Sequence, residues 1–163
     1  MFAYTLQYKI TEAARQRDAA ALTALLHDAS LVAKVYPITA SLAHLRIAKT
    51  LLAELQDEQS VVARMQDVLT RDVVTHEQAY RDVLAEADAK ELGRKTVMRY
   101  SKWVVISVNP ESVSKKETAK VVERVREVLD SLRQRAEAIS VLKEGTAAFN
   151  KSRIELGLQV RCE

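Results

Sequence analysis

The spacing of apolar residues changes period several times along this chain, and each change marks an expected element. Over 2–10 the even positions Phe2, Tyr4, Leu6, Tyr8 and Ile10 are large and apolar, while the odd ones are small or polar. Alternation with aromatic and β-branched residues predicts a strand. A helix would also align Phe2, Leu6 and Ile10, but it would turn Tyr4 and Tyr8 to the opposite face. From Thr11, a capping residue, alanine density rises through Ala13, Ala14, Ala19, Ala20, Ala21 and Ala24. This predicts a helix over 11–35, ended by Pro37, whose ring blocks continuation.

The stretch 38–92 carries a seven-residue repeat. One seam position takes Ile38, Leu45, Leu52, Gln59, Gln66, Val73, Tyr80 and Ala87; the other takes Ala48, Leu55, Val62, Leu69, His76 and Val83. As one helix it would run about 80 Å, longer than a small domain is wide. It therefore either projects as a coiled-coil arm or breaks at the polar cluster near 57–60, and the break is the favoured reading. Beyond Gly93, the β-branched density of Val97, Val104, Val105, Ile106 and Val108 predicts a strand over 97–108. A helix is expected over 111–144, started at Asn109-Pro110-Glu111 or by a Ser114–Glu117 capping box and stopped by Gly145. The tail alternates through Ile154, Leu156, Leu158 and Val160, which predicts a last strand over 152–162.

The expected fold is thus mostly α with a small β-sheet, an α+β domain spanning 1–163. Long antiparallel helices would pack on about three strands, with a protruding coiled-coil hairpin as one arrangement of the central repeat. An elongated all-α bundle is the fallback if the terminal strands fail. Composition agrees: Gly and Pro number only 3 and 2 in 163 residues. An average protein carries roughly four times as many, so tight turns are few. With 48% hydrophobic and 29% charged residues the chain is globular in character. Cys162 is the lone cysteine, which excludes an internal disulfide. No run approaches the roughly 20 apolar residues of a transmembrane helix, so no transmembrane segment is expected. The first residues lack the basic and apolar blocks of a signal peptide. A soluble, intracellular protein is the expectation.

Net charge is +3, unevenly spread. Residues 1–93 hold 10 Lys/Arg against 13 Asp/Glu, whereas 94–163 hold 15 against 9. Within the basic half, Lys116, Lys120 and Arg124 recur every four residues beside Lys115, an arrangement that attracts phosphate-bearing partners. Glu123 and Glu127 lie within a turn of this stripe, so a solvated, self-paired face is the competing reading.

Catalytic and metal-binding chemistry finds little footing. A carboxylate-bridged di-metal bundle needs Glu three residues before His. Here Ala24, Ser41 and Val73 precede His27, His44 and His76 at that offset. His76-Glu77-Gln78-Ala79-Tyr80 places tyrosine where a zinc-protease helix needs its second histidine. Tyr4, Tyr8, Tyr100 and Trp103 would stack bases only on an open sheet face; otherwise they form the face that helices cover. No cofactor is expected. The polar seam residues Gln59, Gln66 and His76 carry more information, because buried polar groups in a seam fix register and partner number. These observations favour a non-enzymatic interaction or assembly module, working through amphipathic helices and strand edges on a protein partner or a second copy. Nucleic-acid or phosphate binding through Lys115, Lys116, Lys120 and Arg124 is the alternative.

Overall fold

Leu6, Ile10, Ala13 and Ala14 are buried while Gln7, Tyr8 and Lys9 are exposed, a spacing that only a helix produces. The chain accordingly begins with α1, Phe2–Gln16, where the sequence pattern predicts a strand. Tyr8 was the misleading residue: it is 70% exposed and belongs to no buried face. The computed structural model describes residues 2–35, 43–99 and 105–160, with side chains described over 5–33, 45–98 and 105–157.

The expected helix over 11–35 is two helices. α1 ends at Gln16 and α2 spans Ala19–Val35. Between them Arg17 takes φ 57°, the left-handed conformation. The Arg17 and Asp18 amides then bond Ala14 O at 3.0 Å and Ala13 O at 2.9 Å. These two bonds satisfy the last carbonyls of α1 in a Schellman arrangement. Asp18 Oδ1 accepts the Ala21 amide at 2.9 Å and so starts α2.

α3 runs Ala43–Val68 and α4 runs Glu77–Ala89, so the central repeat does break, but over 69–76 and not near 57–60. The intervening turn is built on Asp72, which accepts the Thr75 amide at 3.1 Å and the Thr75 hydroxyl at 3.0 Å. Those bonds hold the Asp72 carboxyl below the usual carboxylate range, the Thr75 amide first. Tyr80 closes the turn, its hydroxyl donating to Arg71 O at 2.9 Å. The cluster near 57–60 stays helical because Glu58 is buried and ion-paired.

β1, Val97–Arg99, pairs antiparallel with β2, Val105–Ser107, in the register Val97↔Ser107, Met98↔Ile106, Arg99↔Val105. Among the described residues the sheet has two strands where about three are expected. Its inner face, Met98 and Ile106, joins the core. The Asn109 amide bonds Arg15 O at 2.8 Å and its side-chain amide bonds Gln16 Oε1 at 3.0 Å, fastening the hairpin to the end of α1.

α5 then runs Val113–Val160, 48 residues or about 72 Å. Neither expected cap starts it: the Lys115 amide donates to Ser112 Oγ at 3.3 Å. It also passes through Gly145 and is helical over 152–160 where the last strand is predicted, residues 161–162 lying outside the described residues. A glycine inside a helix costs only about 1 kcal/mol relative to Ala, too little to end a helix this long.

Two apolar clusters share α3 as their spine. One joins α1, α2, the hairpin and Leu45, Ala48, Leu51 and Leu55 of α3. The other joins α4, the first half of α5 and Val61, Met65 and Val68 of α3. The buried line of α3 runs through Leu51, Leu55, Glu58, Val61, Met65 and Val68, and Gln59 and Gln66 lie beside it, exposed. The fold is mostly α with a small β-sheet, and no helix among the described residues is long and apolar enough to cross a membrane.

Candidate functional site

A cleft of about 180 Å³ lies between the second half of α3, the α1–α2 turn and the start of α5. Polar walls come from Gln59, Gln66, Ser114, Glu117 and Thr118, apolar ones from Leu55, Val62 and Val121. Two of the three expected register residues, Gln59 and Gln66, therefore share one cleft. Arg17 and Glu58 also line it, their side chains 6% and 5% exposed and ion-paired to each other. Lys95 extends the pair, lying 3.5 Å from Glu58 and against Glu54. Burial, and then the Arg17 guanidinium, pushes the Lys95 ammonium below the ordinary lysine range.

Chemically the cleft offers amide and hydroxyl groups, the Glu117 carboxylate and the Arg17–Glu58 pair, with neither histidine nor cysteine in its lining. It can take up a polar side chain from outside; it does not present a hydroxyl with an imidazole base beside it. His76 lies elsewhere, exposed in the 69–76 turn, with Nδ1 2.8 Å from Thr75 Oγ1 and 3.1 Å from Asp72 O. Among the described residues no three His, Cys, Asp or Glu side chains gather closely enough to hold a metal. Tyr8 is on a helix; Tyr100, Trp103 and the Tyr4 side chain lie outside the described residues. A Gln59→Leu, Gln66→Leu double variant changes only the exposed cleft rim, so stability should stay within about 0.5 kcal/mol. Solution mass or partner recovery should change; if both match the parent, the glutamines set no register.

The expected anion stripe is interleaved with acids. Lys116 pairs with Glu111, whose carboxyl that bond holds below the usual range. Arg126 bridges Glu123 at 3.1 Å and Asp88 at 3.0 Å. Lys120 and Arg124 are exposed on the same stretch, and Lys115 is half-buried. Phosphate would meet Glu117 and Glu123 beside these cations.

A separate exposed apolar surface lies farther along α5. Val121, Val122, Val125, Val128 and Leu129 pack in the second cluster, but every side chain from 133 to 157 is exposed. The apolar spacing does not stop where the packing stops. Val125, Leu132 and Ile139 are seven apart, and so are Leu142, Phe149 and Leu156. Ile139, Leu142, Phe149 and Leu156 are 53%, 69%, 62% and 60% exposed. Sequence reasoning missed this arm because it ended the helix at Gly145; reading the heptad through the glycine would have found it. Comparison with protein-family models, curated proteins and solved structures returns no match to this chain.

Proposed function

We propose that this chain is a non-enzymatic interaction or assembly module whose working surface is the distal half of α5. One observation carries the reading: a heptad seam packed against the second cluster as far as Val128 continues through Leu156 with none of the described residues covering it. Four large apolar residues on one face of an exposed helix form the kind of surface that a second helix covers. The cleft lies against the packed half of the same helix and adds polar groups near its start. The nucleic-acid reading has less behind it, since Lys116 is paired with Glu111 and Glu117, Glu123 and Glu127 are interleaved with the remaining cations.

The test separates folding from association. In a Leu142→Glu, Phe149→Glu variant both changes fall on exposed sites, so stability should move by no more than about 0.5 kcal/mol per site. Partners recovered from native extract after nuclease treatment should be lost with this variant. Equal recovery by parent and variant would remove the arm from the interaction, and recovery abolished by nuclease would favour the basic stripe.

A further inference from the structure

We infer that the arm's partner is an acidic amphipathic helix that places carboxylates against Arg135 and Arg153; this rests on the arm being the working surface. Residue 135 lies seven before Leu142, and 153 lies fourteen after Ile139, so both arginines occupy seam positions. They are the charges in the middle of the apolar stripe. The carboxylates of the arm, Glu137, Glu144 and Glu155, fall on the opposite face with Arg133 and Lys151. Arg133 pairs with Glu137 at 2.9 Å, whereas neither Arg135 nor Arg153 has an ion pair or hydrogen bond among the described residues. Lys143 flanks the stripe and adds to its positive character. The seam face is therefore apolar and cationic, with its own acids turned away.

This charge pattern disfavours a second copy as the occupant. A parallel, in-register pair would set Arg135 against Arg135 and Arg153 against Arg153. The antiparallel register that stacks Ile139 on Phe149 and Leu132 on Leu156 would set Arg135 against Arg153. Both bury like charges, which is costly without counter-ions. A helix with its own apolar heptads and carboxylates at two seam positions matches instead. Its acids would be about 27 Å apart, the rise over eighteen residues. Arginine can bind each carboxylate through two parallel hydrogen bonds, and such pairs fix register as well as partner.

The test uses the full chain and three synthetic helical peptides, each about four heptads long. They share one Leu/Ile seam and carry Glu, Lys or Leu at the two matching positions. The Glu peptide should bind at least about tenfold more tightly than the Lys peptide, with the advantage shrinking as salt rises. An Arg135→Glu, Arg153→Glu variant should reverse that order. Equal binding of Glu and Lys peptides, or an order unmoved by the variant, overturns the inference. So does a chain that sediments alone as a dimer dissociated by Leu142→Glu, which would make a second copy the occupant. A Leu peptide bound as tightly as the Glu peptide by both proteins, but not by the Leu142→Glu variant, removes the acidic partner and leaves the arm an interaction surface. No binding of any peptide, with extract partners unaffected by the Leu142→Glu, Phe149→Glu change, removes both.

Discussion

Replacing Arg17 by Met should destabilise the fold by about 3–5 kcal/mol, the cost of breaking a buried ion pair from one side. Glu58 Oε2 is buried and has no partner other than the Arg17 guanidinium among the described residues. With Arg17 gone, Lys95 at 3.5 Å from the other oxygen is the nearest remaining cation. The carboxylate must then take up a proton, draw in water or open the packing between α1 and α3. Chemical denaturation of parent and variant side by side measures the loss.

Two companions identify the cause. An Arg17→Gly variant relieves the left-handed backbone at φ 57° yet leaves Glu58 unpaired, so it should remain strongly destabilised. An Arg17→Met, Glu58→Leu double variant removes both charges and should regain most of the loss. If the single Met variant is within about 1 kcal/mol of the parent, the pair is solvated and the cleft wall it forms is not rigid. The same pair also accounts for the straight run of α3 past 57–60. A polar cluster that reads as a helix break becomes helix interior once Glu58 has a cation waiting on another element.

That dependence on distant partners explains what the sequence could and could not reveal. Fold class was legible because long apolar periods and scarce Gly and Pro act locally. The two helix ends at Arg17 and Glu91 were not legible, since both occupy left-handed positions where glycine is the usual signal. The strand expected over 2–10 failed because alternation counted Tyr8 as inward, and burial alone decides that. The seam reading of Gln59 and Gln66 put them on the buried line of α3. That line passes through Glu58 and Met65 instead, and the two glutamines came to line a cleft while His76 went to a turn. At the distal end the misreading ran the other way. Gly145 and Gly157 suggested a stop and a strand, yet nothing lies within 4 Å of a Cβ built at either. In an exposed helix a glycine is tolerated, and punctuation by composition loses its force.

Gly93 is the contrasting glycine, and Gly93→Ala should cost about 2–4 kcal/mol. Its φ of 75° is strained for any side chain, and an added Cβ would lie 2.7 Å from Ala119 Cα. That neighbour is backbone of α5, so no side-chain rotation relieves the clash. In a domain of this size the loss corresponds to a fall in Tm of about 5–15 °C. α4 reaches this point through a left-handed Glu91 and a Leu92 amide bonded to Ala87 O at 2.9 Å, which sets the chain down against α5. Pushing α5 away here strains the second cluster where Val122 and Val125 are buried, and with it the base from which the arm projects. Gly145→Ala supplies the control: with no neighbour within 4 Å and a helical backbone, it should be neutral or stabilising by up to about 1 kcal/mol. Thermal unfolding of the two variants side by side decides whether close approach at Gly93 anchors α5. Equal Tm values would mean that α5 can retreat from α4 at no cost, and the seam would then be free along its whole length rather than only beyond Leu132.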